Sequence, residues 1–107
     1  MEELLLEFFD AENRRDWEKY KQFLHPEVIW KLYGAPNKEI AGIEQYMETM
    51  MKAYENTDVQ FSCEDMKVSS DKNRIVAYLV NDFGIRSVDV FDFKDNLIYR
   101  EYEFILE

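Results

Sequence analysis

Asp89 sits between aliphatic residues in Ser87-Val-Asp-Val-Phe91, within a segment whose side chains alternate as in a β-strand. A carboxylate on an apolar strand face needs a partner or must take up a proton. The next segment offers partners. If Asp95-Asn96 is a two-residue turn, Lys94 opposes Leu97, Phe93 opposes Ile98, Phe91 opposes Arg100 and Asp89 opposes Tyr102, with Arg100 diagonal to the carboxylate. Two readings follow. Either Arg100 and Tyr102 hold Asp89 in a buried structural pair, or Asp89 lines a pocket and exchanges a proton or hydrogen bond with a ligand oxygen.

A turn at Phe83 to Ile85 adds Val76, Tyr78 and Val80 to the face of Asp89, Phe91, Phe93, Ile98, Arg100, Tyr102 and Phe104. This is the larger and more aromatic of the two faces and is expected inside. Trp30, Tyr78, Phe91, Arg100, Tyr102 and Phe104 are thus the candidate ligand-binding residues around Asp89, the candidate catalytic group. Trp30 and Tyr78 can wall a pocket, although an aromatic on a strand is more often ordinary core. The lone histidine, His25, precedes Pro26 and reads as a turn residue or a group at the pocket mouth. Met47, Met50, Met51 and Met66 read as core packing or an adaptable lining. Cys63 has no neighbouring cation and reads as a small hydrophobe. With one His, one Cys and no glycine-rich loop, neither a metal motif nor a nucleotide cofactor is expected. The opposite face, Ala77, Leu79, Val88, Val90 and Tyr99 edged by Asn81, Asp92, Glu101 and Glu103, is an apolar strip of the kind that mediates association, and a homodimer is expected through it.

Hydrophobic periodicity supplies the elements that position these groups. Leu4, Leu5, Phe8 and Phe9 follow helical spacing, and Asp16 can cap a second helix carrying Trp17, Tyr20, Phe23 and Leu24 that ends at His25-Pro26. Val28 to Tyr33 alternates as a strand and Gly34 to Asn37 turns, after which Gly42 to Asn56 is helical again. Strands are expected at about Val59 to Val68, Arg74 to Asp82, Arg86 to Phe93 and Leu97 to Leu106. The order ααβαββββ, with strands joined by short turns, is an α+β class: an antiparallel sheet with helices on one face.

The chain has 107 residues, and one domain over 1–107 is expected. Its 13 Lys plus Arg against 23 Asp plus Glu leave a net charge of -10, which repels a phosphate backbone or an anionic membrane. Neither nucleic acid nor membrane is an expected partner. No signal-peptide pattern or membrane-spanning run is visible, so a soluble cytoplasmic protein is expected.

The element order and several short stretches resemble the cystatin-like cone of the nuclear transport factor 2 superfamily, with its polyketide cyclase-like and ketosteroid isomerase-like members. They are Asn13-Arg-Arg-Asp16, Leu24-His-Pro-Glu-Val-Ile-Trp30, Ala41-Gly-Ile-Glu44, Val88-Asp-Val-Phe-Asp-Phe93 and Leu97-Ile-Tyr-Arg-Glu-Tyr102. The resemblance implies a bent sheet wrapped on a long helix and a frequently dimeric protein. In isomerase-like members an Asp matching Asp89 is held protonated to stabilise an oxyanion. The isomerase base, however, falls on Leu32 and the oxyanion tyrosine on Phe8, so ketosteroid isomerisation is rejected. An epoxide hydrolase site needs two carboxylates and an Arg, and Glu101 and Glu103 are expected to point outward. Two functions remain: an aromatic pocket for a compact apolar or polycyclic molecule with acid-base chemistry at Asp89, or a non-catalytic dimerisation or protein-binding module with a filled cone. An interior volume of about 300 Å³ or more would favour the pocket.

Overall fold

Leu5, Phe8 and Phe9, spaced for one face of a helix, are buried along α1 (Glu2–Arg14), which stops where Arg15 turns left-handed at φ 59°. The computed structural model describes residues 1–34 and 36–106; Ala35, in the expected turn, and Glu107 lie outside the described residues. Asp16 caps α2 (Trp17–Lys21) as expected, accepting from the backbone N–H of Lys19 at 3.3 Å. The rest of the chain forms β1 (Leu24–Tyr33), β2 (Lys38–Ala41), α3 (Ile43–Ala53), β3 (Phe61–Val68), β4 (Arg74–Asn81), β5 (Arg86–Lys94) and β6 (Leu97–Ile105). The class is α+β, with a bent six-stranded sheet in the order β2-β1-β6-β5-β4-β3. All neighbours are antiparallel except β1 and β6.

Two elements differ from the sequence reading. The second helix ends at Lys21, because Phe23 and Leu24 are drawn into the sheet: the Ile98 N–H donates to the Phe23 carbonyl at 2.8 Å, and Leu24 registers with Ile98. His25-Pro26 then lies inside a strand, consistent with the extended backbone a residue before proline prefers. Strand β2 was not expected, since Ile40 is its one buried side chain and it shows no alternation.

The larger correction is register. Asp95 and Asn96 both adopt positive φ, 56° and 62°, as a two-residue hairpin turn requires, and Lys94 pairs with Leu97 and Phe93 with Ile98 as expected. A bulge then inserts Tyr99, so Asp92 pairs with Arg100, Phe91 with Glu101, Asp89 with Glu103 and Val88 with Phe104. Every later residue of β6 changes face. Glu101 and Glu103 turn inward, and Arg100, Tyr102 and Phe104 turn outward with Val88 and Val90. At the β4–β5 turn, Asn81 Oδ1 accepts from the N–H groups of Phe83 and Ile85 and Gly84 takes φ 78°, pairing Ala77 with Asp89. Ile75, Ala77 and Leu79 are therefore the inner residues of β4, and Val76, Tyr78 and Val80 the outer ones, the reverse of the expectation.

Helices α1 and α3 cover the inner face. Phe91, 1% exposed, meets Phe8 and Phe9 edge-on at centroid distances of 6.2 and 5.8 Å, and Phe8 stacks on Tyr20 at 4.2 Å. These rings fasten helix to sheet. Phe91→Ala should lower unfolding stability by about 3–5 kcal/mol in denaturant titration, whereas Tyr78→Ala, on the outer face, should cost under about 1 kcal/mol. Equal losses would contradict this assignment of faces.

Candidate functional site

Where α1, the end of α3 and the inner face of the sheet fail to meet, they leave a cavity of about 160 Å³. Phe8, Phe9, Met50, Phe61, Leu79 and Phe91 make its apolar wall, and Val59, Asn81, Ile85 and Ile105 also line it. Glu12, Asp89, Glu101 and Glu103 bring carboxyl groups into this lining. The volume is about half of what the sequence reading set as the mark of a ligand site. It is close to the roughly 150 Å³ of an apolar cavity known to admit benzene, so it suits one ring rather than several.

The acids converge because three of them stand on adjacent strands facing inward. One carboxylate oxygen from each of Asp89, Glu101 and Glu103 lies within 4.8 Å of the other two. Asp89 and Glu101 are each 4% exposed. Asp89 Oδ1 accepts from the Ser87 hydroxyl at 3.0 Å. Glu101 Oε1 accepts a short hydrogen bond from Tyr46, whose hydroxyl lies 3.2 Å from that of Tyr20. Tyr54 donates to Glu12 in the same manner. The Trp30 indole N–H is buried and makes no hydrogen bond of ordinary geometry, yet it is close enough to Glu103 to favour that carboxylate's charged form.

Burial without a cation sets the protonation of this cluster. It raises Asp89 well above the usual carboxylate range, and the charges of Glu103 and Glu101 add to the effect against the opposing Ser87 hydroxyl. Glu101 is likewise raised well above its usual value by burial, then by Glu103, against the Tyr46 hydrogen bond. Glu103 is pushed up to about 6 by burial, with the Trp30 N–H opposing. Glu12 is pushed up to about 7 by burial, against the Tyr54 hydrogen bond. Burial also raises Tyr20 and Tyr46 well above their usual value, so both remain hydroxyl donors. Near neutral pH the three clustered carboxyls therefore separate into an anion, Glu103, and two neutral acids. Since Tyr46 occupies Oε1 of Glu101, the acidic proton belongs on its other oxygen. A base poised near neutrality beside neutral acids is the pattern that proton transfer requires.

Of the residues singled out from sequence, Asp89 and Phe91 line the cavity. Trp30, 7% exposed, stands behind Glu103 with its ring 5.3 Å from Tyr46. The other four are on the outer face. Tyr78 is 40% and Phe104 39% exposed, and Tyr102 shares their side of the sheet. Arg100 spends its N–H groups on the carbonyls of Glu27 and Tyr99, so it does not pair with Asp89. The Asp89–Arg100–Tyr102 cluster is thus overturned by the single bulge, and with it the outward placement of Glu101 and Glu103. His25 accepts from the Glu27 N–H and packs on Tyr99, away from the cavity. Met50 lines the cavity, Met47 is buried and Met51 is 47% exposed. Ala77 and Leu79, expected on the outer strip, are buried inside. Sequence reasoning missed Glu12, Glu101 and Glu103. Leu32, the residue on which the resemblance places the isomerase base, registers across the parallel pair with Glu103.

A family model described as the SnoaL-like domain matches residues 5–101. Similar solved structures include a protein from Kribbella flavida provisionally named a ketosteroid isomerase, 20% identical, with TM-score 0.85 over 97% of this chain and 76% of that one. A SnoaL-like protein of unknown function from Burkholderia thailandensis is 15% identical, with TM-score 0.86 over 99% of this chain and 94% of its own. A Sinorhizobium meliloti protein provisionally named a polyketide cyclase is 17% identical, with TM-score 0.77 over 94% and 93%. At these identities the likeness is one of fold. No curated protein matches.

The unfolded chain gives up the glutamate protons near 4.5, whereas the folded chain holds those of Glu12 and Glu103 to about 7 and 6. The stability these groups contribute is fully present below 4.5 and is lost as pH rises through that window, with Asp89 and Glu101 extending the loss upward. The urea midpoint should therefore fall between about pH 5 and about pH 8. Asp89→Asn, which removes one group that resists ionisation, should flatten that fall. A wild-type midpoint that is constant or rising over the same range would contradict the buried cluster.

Proposed function

Because the chain belongs to the SnoaL-like domain family, we propose that it binds a compact, largely hydrophobic molecule of about one ring, with Glu103, Asp89 and Glu101 exchanging protons with its polar head. The observation that carries this reading is the meeting of three carboxyl oxygens within 4.8 Å on the wall of an otherwise aromatic cavity. Packing alone would not favour such a wall, since burying carboxyls without cations costs stability. The provisional names of the Kribbella and Sinorhizobium proteins, an isomerase and a cyclase, fit acid-base work in this fold. An epoxide hydrolase arrangement is not supported even with the acids inward, because no Arg lines the cavity among the described residues.

A thermal-shift screen with neutral, cationic and anionic single-ring compounds tests the pocket. At least one class should raise the midpoint of the wild type and fail to do so for Leu79→Trp, whose indole would fill the cavity. No shift with any class would reject the reading.

The same reading includes a homodimer through the outer face of the sheet. Tyr33, Tyr78 and Phe104 are 37%, 40% and 39% exposed, and Tyr33 stacks on Phe104 at 4.9 Å, beside half-buried Val88 and Val90. Charges at the margin are already matched, Arg74 with Asp92 and Arg86 with Glu64. A second copy of this face, apolar with neutralised edges, is the partner it suits. Sedimentation should show a dimer at tens of micromolar and a shift toward monomer for Val88→Asp, because burying a carboxylate there opposes association. A monomeric wild type at that concentration would refute the dimer.

A further inference from the structure

We propose that the ligand taken by this cavity is a compact primary amine carrying one ring, its ammonium held among Asp89, Glu101 and Glu103 and its ring against the phenylalanine wall. The proposal rests on the pocket reading above and adds the charge of the occupant. A primary ammonium presents three N–H donors from one nitrogen. At N···O distances of about 2.9 Å and tetrahedral angles, its three acceptors stand about 4.7 Å apart. The three carboxyl oxygens lie within 4.8 Å of one another, a separation that one ammonium can bridge with each residue giving one acceptor.

Charge balance points the same way. Among the described residues no Lys, Arg or His lines the cavity. Arg15, whose charge favours ionisation of Glu12, lies 4.1 Å from the Tyr54 ring centroid and donates to the carbonyls of Glu12, Asn13, Thr57 and Val59. The other polar groups facing the cluster are Glu12 from α1, Tyr20 from α2, Tyr46 and Tyr54 from α3, Trp30 from β1 and Ser87 from β5; none carries positive charge. The second observation is Trp30. Its indole, 7% exposed and without a hydrogen bond, is aimed at Glu103 and favours a negative charge there, on a wall with no protein cation to meet it. An anionic ligand would be repelled, and a neutral one would leave Glu103 uncompensated. A bare metal ion would satisfy the acids but leave the aromatic remainder of the cavity without use, whereas a ring fills it and packs against the phenylalanines.

Isothermal titration of the full chain with benzylamine, benzyl alcohol and benzoate, at about pH 8 and about pH 5, tests the assignment. Benzylamine, protonated at both values, should bind about ten-fold tighter at the higher pH, because Glu103, pushed up to about 6, must ionise to receive it. Heats in buffers of different ionisation enthalpy should show proton release at the lower pH. Benzyl alcohol should bind more weakly and without pH dependence, and benzoate should not bind. Glu103→Gln should abolish the pH dependence and weaken benzylamine about ten-fold at the higher pH, leaving benzyl alcohol unchanged; Asp89→Asn serves if that variant does not fold. Benzyl alcohol binding as tightly as benzylamine would overturn the charge assignment while leaving the pocket standing. Stabilisation by calcium or magnesium ions with no response to benzylamine would overturn it in favour of a metal site. Failure of all these ligands would overturn both the amine proposal and the pocket reading.

Discussion

Glu101 and Glu103 reach the interior through one extra residue, Tyr99, and the polar half of the cavity depends on that insertion. A strand without the bulge would carry Arg100 and Tyr102 inward opposite Phe91 and Asp89, giving the acid a cation and filling the space with their side chains. With the bulge, Asp89 meets two more carboxyls and no cation. The energy of such an arrangement is unfavourable by itself, and it persists because the surrounding aromatic core, Phe8, Phe9, Tyr20 and Phe91, fixes the sheet against the helices. Tyr46 and Ser87 then supply hydrogen bonds to Glu101 and Asp89 that reduce the cost of burying them.

The elements were legible from sequence wherever a repeating apolar pattern carried them. Helices α1 and α3 and strands β3 to β6 follow their periodicity closely, and the resemblance in element order led to the SnoaL-like fold. What the pattern could not supply was which face of β4 and β6 turns inward. For β4 both faces are apolar, Ile75, Ala77 and Leu79 against Val76, Tyr78 and Val80, so only the number of residues in the turn before β5 decides. For β6 the choice lay between Arg100, Tyr102 and Phe104 and the acids Glu101 and Glu103, and the rule that aromatic residues go inside selected the wrong set. That rule describes packing, and the inward acids of β6 depart from it. A signal was present, since Tyr99-Arg100 beside Lys94 and His25 offers ring and cation partners for an outward bulge, but its effect on parity is visible only once β6 is seen between β1 and β5.

Asp89 was placed in the cavity by its own strand, and its partners were misassigned. The distinction matters for its chemistry. Beside Arg100 it would have been a low-pKa anion with a structural role; beside Glu101 and Glu103 it is a neutral acid. The three carboxyls are better regarded as one titrating unit than as separate residues, because each ionisation raises the cost of the next. Each of the three has one hydrogen-bond donor that favours its charge, Ser87, Tyr46 or Trp30, and Glu103 ionises at the lowest pH because the charges of neighbouring acids raise Asp89 and Glu101 further. Trp30, read as a pocket wall, stands behind it and favours the charged form of Glu103.

The bulge also joins the two faces of the sheet. The residue that turns Glu101 and Glu103 toward the cavity turns Tyr102 and Phe104 toward the outside, where Phe104 stacks on Tyr33 and stands beside Val88. Cavity polarity and outer-face apolarity are therefore consequences of one register, and neither can be changed by a shift in β6 without reversing the other. This accounts for a sheet on which an acidic cluster without a cation lies inside while large aromatics are exposed outside, a distribution that burial of apolar area alone would oppose.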